Sequence, residues 1–305
     1  MPTFVPLLDR ARVVEATGHT HALWSDGRSR QAHAAFTLEQ LDLAGPELLH
    51  YAGLVDDTGL VASMKRYGLR LRGPDGRALP AIGIGAVFTR EDARGRGHAA
   101  ALLREILREA REAGAAAAWL HAEIDPAYYA RLGFLELPGR AHRARAADLP
   151  EGEPLQIRPA APEDLDRLLT WYDTGFGAEP WLSPARWPHM WRYFAFRNHV
   201  RVWILADAGT DVGYLAASSG DGALWVDEWS APGVEHARIL CTLRAFAERE
   251  GDREVAGWLR PDLAGPPFRE EPRKSGVPMI AFLDPAWAAP PLDLGRIHFG
   301  SFDYF

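Results

Sequence analysis

One stretch constrains the fold more than any other: AIGIGAVFTREDARGRGHAAALLREILREA, residues 81–110. Ala81–Thr89 is a short apolar run with β-forming residues and reads as a buried strand. From His98 onward, Ala99, Leu102, Leu103, Ile106, Leu107 and Ala110 recur at helical spacing, with Glu105, Arg108, Glu109 and Arg111 on the opposite, wet face. Gly114 stops the helix. Between strand and helix stand Arg94 and Arg96, interleaved with Gly95 and Gly97. The first turn of a helix carries unpaired N–H groups and the positive end of the helix dipole, so a strand that runs through a tight basic loop into a helix is an anion site. The glycines let backbone approach the anion, and charge-assisted bonds of this kind contribute about 1.5–3 kcal/mol each. The stretch therefore predicts a phosphate-bearing ligand.

Two common phosphate motifs are excluded. No Gly-Lys-Ser/Thr follows the loop, so it is not a P-loop. GIGAVF lacks a third glycine and lies inside the strand rather than after it, which argues against a dinucleotide fingerprint. The net charge of −7 argues against a nucleic-acid binder. The single cysteine, Cys241, excludes a disulfide framework. No run is long and apolar enough to span a membrane and no signal peptide is evident, so the expected location is cytoplasmic, without membrane partners.

At 305 residues and 47% hydrophobic composition, the chain has room for two ordinary soluble domains. TLEQLDLAGPELL reads as a helix begun by Thr37 and interrupted at Gly45-Pro46. Residues 49–55 and 59–72 read as a hairpin across Asp56–Gly59. AAAAWLHAEI reads as a strand, and DPAYYARLGF as a short helix leading to a strand at Gly133-Phe134. Pro150, Gly152 and Pro154 mark a linker, after which LQIRP and APEDLDRLLTWY begin a fresh strand and helix. Strands at 201–207, 211–218 and 223–230, a helix at 233–250 and a strand at 254–259 repeat the order of the first half, a weak internal duplication, and the tail from Pro261 is proline-rich.

The pattern Arg-x-x-Gly-x-Ala, formed by Arg94, Gly97 and Ala99, resembles the coenzyme-A pyrophosphate loop of GCN5-related N-acetyltransferases (GNAT). Downstream, Tyr129 before Leu132-Gly133-Phe134 is similar to that family's strand–Tyr–corner segment. The resemblance covers about residues 48–138. LVASMKRYGLRL, VFTREDARGRGHA and PAYYARLGF together look like the subgroup that includes fungal lysine N6-acetyltransferases. It implies an α/β (α+β) fold of two GNAT-like domains, residues 1–150 with the acetyl-CoA site and 151–305 degenerate, each a mixed, mostly antiparallel twisted sheet flanked by helices. It implies acetyl-CoA as cosubstrate, no metal, and a primary amine of a small molecule or lysine-like compound as acceptor. The backbone of Val87 and Thr89 is expected to pair with pantetheine, and an N–H near Val87 to polarise the thioester carbonyl. The N–H groups of Arg94, Gly95, Arg96, Gly97, His98 and Ala99 are expected to hold the pyrophosphate. His98 stands where the family often has a hydrophobic residue.

Tyr129 matches the family's general acid; its plainer reading is a residue that packs the corner, with Tyr128 facing the other way. Glu123 and Asp125, on one face of a strand end, are candidate bases, and Asp125 before Pro126 also fits a helix cap. The tail FGSFDYF is too apolar to hang free, and the Phe305 carboxylate is a third candidate base if the tail docks in the cleft. In residues 151–305 the loop WSAPGVEHARIL has no arginine pair, so no second coenzyme is expected. Most of the tryptophans lie in this half and suit a core, with Trp181 an open candidate for an amine pocket. A non-catalytic acyl-CoA binder is the rival reading, which has no use for Tyr129. Transfer from aminoacyl-tRNA is disfavoured by the acidic balance. The acceptor is left open among lysine, a polyamine, an aminoglycoside-like compound and a protein side chain.

Overall fold

The computed structural model describes residues 2–73, 76–176, 182–197, 199–260, 264–273, 275–287 and 294–305; Trp181 lies outside them. The short strand β1 (Thr3–Val5) precedes helices α1 (Arg10–Trp24) and α2 (Arg30–Leu48). Strands β2 (Leu49–Asp56), β3 (Gly59–Arg72) and β4 (Ala78–Thr89) follow, then α3 (His98–Glu112), β5 (Ala117–Ala122), α4 (Ala127–Ala130), β6 (Leu135–Glu136) and β7 (Arg140–Arg145). The chain continues through β8 (Gln156–Pro159), α5 (Leu165–Trp171), β9 (Ser183–Pro184), α6 (Pro188–Arg197), β10 (Val202–Asp207), β11 (Thr210–Gly220) and β12 (Ala223–Ser230). Last come α7 (His236–Glu250), β13 (Glu254–Gly257), β14 (Arg269–Pro272) and β15 (Val277–Phe282).

These strands form two mixed sheets flanked by helices. The first runs β1-β2-β3-β4-β5-β15-β6, with β9 beside β3; the second runs β14-β7-β13-β12-β11-β10-β8. In each, one strand–helix–strand crossover makes a parallel pair, β4–α3–β5 in the first and β12–α7–β13 in the second; the other pairings are antiparallel. The two sheets exchange strands. β7, which precedes residue 150, pairs with β13 and β14, and β15, from the far end of the chain, sits between β5 and β6.

Several boundaries differ from expectation for identifiable reasons. α2 starts at Arg30 rather than Thr37, because the Ser29 hydroxyl accepts from the Ala32 N–H at 3.2 Å and caps it. Gly45, at φ 68°, kinks the helix as expected. α6 was missed as a helix; it begins at Pro188, and proline suits a first turn, which needs no N–H partner. β14 and β15 occupy what reads as a proline-rich tail.

The buried face of α3 packs on Ile82, Ile84 and Leu120 of the first sheet. The other face of that sheet meets α6 and the C-terminal segment in an aromatic core. Phe299 stacks on Trp119 at 5.0 Å, Phe302 lies 4.7 Å from Trp191, and Phe305 lies 4.6 Å from Tyr67. The segment 299–305 is thus docked. An ion cluster with no solvent exposure pins it: Arg186 donates to Glu228 at 2.7 Å and to Asp303 at 2.9 Å.

A second cluster pins the start of α5. The buried carboxylate of Asp164 accepts from Arg158 at 2.8 and 3.1 Å, from the Ala161 N–H at 2.8 Å, and from Arg167. Arg158 above all holds this carboxyl well below the usual carboxylate range. A depressed folded pKa contributes stability that is complete above the unfolded value, about 3.9, and is lost as pH falls. Asp164→Asn is expected to cost about 2 kcal/mol at pH 7, reduced from a fully buried pair because both arginines are half exposed. Its thermal midpoint should begin to converge on the parent's only below about pH 4 and come closest near pH 2; a difference as large at pH 2 as at pH 7 would exclude this role.

Candidate active site

The site begins with a fault in β4. Opposite β3, Ser63 pairs with Phe88 and Lys65 with Gly85, so Met64 faces two residues, Ala86 and Val87. This is a β-bulge, and Ala86 takes a positive φ of 49° to make it. The parallel pairing of β4 with β5 runs from Ala81↔Ala117 to Ile84↔Leu120 and stops there. β5 continues along β15 while β4 turns away, which leaves the Gly85–Thr89 edge facing an open wedge.

That wedge opens a cleft of about 1130 Å³. Of the residues expected to act, Val87, Thr89, Arg94, Gly95, Gly97, His98, Ala99, Glu123, Tyr129 and Phe305 all line it; Arg96 is exposed and is not on its wall. Gly95 and Gly97 adopt φ 76° and 78°, which side chains disfavour, and a Cβ at either would meet nothing within 4 Å. The first backbone bond of α3 runs from the Ala101 N–H to the Gly97 carbonyl at 2.9 Å, so the N–H groups of His98, Ala99 and Ala100 lie ahead of the helical ladder. The residues fit a pyrophosphate with one correction. The Arg94 N–H donates to the Glu91 carbonyl at 3.2 Å, so Arg94 brings only its side chain. Its guanidinium sits 5.8 Å from the Phe88 ring.

Across the wedge stands Tyr129, buried on the one-turn helix α4 against Phe134. Burial, with Tyr128 and Glu123 nearby, pushes its phenol up to about 12. Tyr128 also reaches the cleft, contrary to expectation, because successive residues of a helix stand only about 100° apart. Asp125 is off the cleft wall; it accepts from the Ala127 N–H at 2.9 Å and holds the turn into α4. Glu123, exposed at the cleft, accepts from the Tyr304 hydroxyl at 2.5 Å.

Phe305 explains GIGAVF. A Cβ at Gly83 would collide with the Phe305 ring, and one at Gly85 would stand 3.1 Å from the Phe305 carbonyl carbon and oxygen. The two glycines share one face of β4 and leave room for the tail, which ends beside the bulge. The Arg197 guanidinium donates to the Tyr304 carbonyl at 2.8 Å and holds that end.

Sequence reading missed Lys65, Arg197, His121 and Asp227, which also line the cleft. Lys65 had a signal, a cation alternating with Ser63 and Tyr67 along one face of a strand. Burial pushes Asp227 up to about 7, and Ser301 donates to it at 2.6 Å. Neither ring nitrogen of buried His121 has a hydrogen-bond partner, and burial lowers its pKa. Among the described residues, no group of three or more His, Cys, Asp and Glu could hold a metal, and no helix is long and apolar enough to cross a membrane.

Residues 27–136, which contain the bulge, the glycine loop and Tyr129, match the family model of an acetyltransferase (GNAT) domain. No curated protein matches the chain. Among solved structures, a probable N-acyltransferase from Enterococcus faecalis has a TM-score of 0.74 at 14% identity, over 93% of this chain and 73% of its own. A GCN5-related N-acetyltransferase from Kribbella flavida has a TM-score of 0.68 at 21% identity, over 93% and 72%. Eis1 from Mycobacterium abscessus has a TM-score of 0.64 at 17% identity, over 94% and 74%. By sequence over residues 27–136, and by fold over nearly the whole chain, the protein is similar to the GNAT acetyltransferases.

Proposed function

We propose that this protein transfers an acetyl group from acetyl-CoA to the primary amine of a small-molecule or lysine-like acceptor, directly, with both held at once in the cleft. The observation that carries the reading is the wedge between β4 and β5, which leads from the glycine loop to Tyr129. Acetyl-CoA supplies the acetyl group and a thiolate that departs. The Gly85–Thr89 edge, with Val87 and Thr89, pairs with the pantetheine arm. The N–H groups of His98 and Ala99, the space before Gly95 and Gly97, and the Arg94 side chain hold the pyrophosphate. An N–H near Val87 donates to the thioester carbonyl as charge develops there. Alignment of the two reactants contributes about 7–11 kcal/mol.

Tyr129 gives its proton to the sulfur as the C–S bond breaks. The proton that the attacking nitrogen loses goes to the carboxylate of Glu123, exposed at the cleft. The Tyr304 hydroxyl, which donates to one oxygen of Glu123 at 2.5 Å, holds that carboxylate in place. Glu123→Gln is expected to lower kcat at least tenfold without changing coenzyme affinity; unchanged kinetics would remove Glu123 from this role. The crossover β12–α7–β13 supports reading residues 151–305 as a degenerate second GNAT-like unit that shapes the acceptor side.

Calorimetry with acetyl-CoA tests the whole. The parent should bind at micromolar concentration and Gly97→Trp at least 100-fold more weakly, because an indole at a φ of 78° fills the space before the loop. Absence of binding at millimolar coenzyme would overturn the reading. Tight binding without thiol release across a broad amine screen would favour a non-catalytic acyl-CoA binder.

A further inference from the structure

The helix α2 buries His33, Thr37, Gln40, Ala44 and Leu48 along one stripe. A helix packed on a sheet ordinarily turns apolar residues inward. Ala44 and Leu48 do so and join the aromatic core. His33, Thr37 and Gln40 instead line the cleft. Beneath them β3 raises Lys65, 9% exposed. Its ammonium donates to the Gln40 side-chain oxygen at 2.9 Å and lies 5.8 Å from the Tyr51 ring.

This wall has donors to spare. An ammonium carries three, and one of Lys65's is used. Nδ1 of His33, also buried, has no partner. Among the described residues no carboxylate stands within ion-pair distance of Lys65, and Arg197 adds a second positive charge to the same cleft. Burial, with Arg197 nearby, pushes the Lys65 pKa down to about 7. Buried donors and an unpaired cation are costly unless something completes them. The carboxylates on the cleft are engaged elsewhere: Asp26 with Arg28 at 3.0 Å, Glu123 with Tyr304, and Asp227 with Ser301.

We infer that the wall formed by α2 and β3 is an anion subsite, centred on Lys65, that selects an amine acceptor carrying a carboxylate. This rests on the transferase reading for the amine and goes beyond it in naming the acceptor class. An amino acid or peptide-like acid offers an oxyanion that takes the free Lys65 and His33 donors. A polyamine or aminoglycoside brings a second cation against Lys65 and is repelled.

Two measurements test it. The first compares kcat/KM for ω-amino acids of three to six carbons, their carboxamides and the matching diamines. The parent should prefer the best acid over its carboxamide by about 10- to 100-fold, the worth of one charge-assisted hydrogen bond, and should use diamines least. Lys65→Met should abolish that preference while acetyl-CoA affinity and carboxamide turnover stay near parental, which also shows that the variant is folded. A purely structural Lys65 would lower all acceptors together. The second measurement needs no turnover: pentanoate should bind the acetyl-CoA complex about tenfold more tightly than pentanamide in the parent, and equally in Lys65→Met. Thiol release with diamines preferred, or acids and carboxamides used equally, overturns the subsite and leaves the transferase standing. No thiol release with any amine, yet Lys65-dependent pentanoate binding, overturns the transferase and leaves the subsite. Equal binding of pentanoate and pentanamide to the parent overturns the subsite by itself.

Discussion

Tyr129→Phe lowers kcat by about 10²- to 10³-fold and leaves acetyl-CoA affinity unchanged, the effect of removing a placed general acid. The substitution keeps the ring, and with it the contacts to Phe134 at 6.2 Å and Tyr128 at 5.0 Å, so packing at the corner is preserved. What goes is a buried phenol proton on this wall of the wedge that stays in place across the working range. With its pKa pushed up to about 12 by burial, the Tyr129 phenol is protonated throughout neutral pH. The pH profile of the parent should therefore show no alkaline limb from Tyr129 below about pH 11. Steady-state kinetics with a saturating amine checks the first point, and the same assay from pH 6 to 10 checks the second. A loss under threefold in kcat, with a lowered thermal midpoint, would make Tyr129 a packing residue only.

Arg186→Met destabilises the fold by about 3–5 kcal/mol and removes most activity, although Arg186 is not among the cleft residues. The guanidinium joins Glu228 of β12 to Asp303 of the docked tail, and all three side chains are fully buried. Without it two carboxylates face each other in a dry core. Burial, with Glu228 alongside, already pushes Asp303 up to about 6 against the pull of Arg186. A folded pKa above the unfolded one contributes stability that is present below about pH 4 and lost as pH rises through the folded value. The variant should therefore be least stable above pH 6 and recover part of its loss toward pH 4. Thermal unfolding across that range gives the sign; equal loss at every pH would exclude the account. Activity should fall with the tail, because Tyr304 and Phe305 directly follow Asp303 and complete the cleft.

The strand–loop–helix over 81–112 was legible because its signals are local. Apolar period, the glycine pair and the charged face all lie within a few residues of one another, and the hairpin before it has its own turn. The loop, Tyr129 and Glu123 came with it. The bulge at Ala86 was not legible, since nothing in GAVF marks which residue is extra; the register with Ser63 and Lys65 decides it. The start of α2 was misread for a related reason. Its buried stripe opens with His33, Thr37 and Gln40, so an apolar-period reading finds no helix ahead of Thr37.

By itself, then, the sequence determined the pieces whose stability comes from neighbours along the chain: the apolar strand, the glycine turn after it, and the amphipathic helix. Only the tertiary structure decided what meets what. β15 reaches β5 of the first sheet from more than 150 residues away, Arg186 ties the tail to the second sheet, and Phe305 fills the space left by Gly83 and Gly85. Such pairings are set by complementary shape and by the cost of burying unmatched charge, which depend on distant segments arriving together. The acceptor wall belongs to that second kind. Lys65 is an ordinary strand lysine in the sequence, and becomes a buried, underused cation only when α2 closes over it.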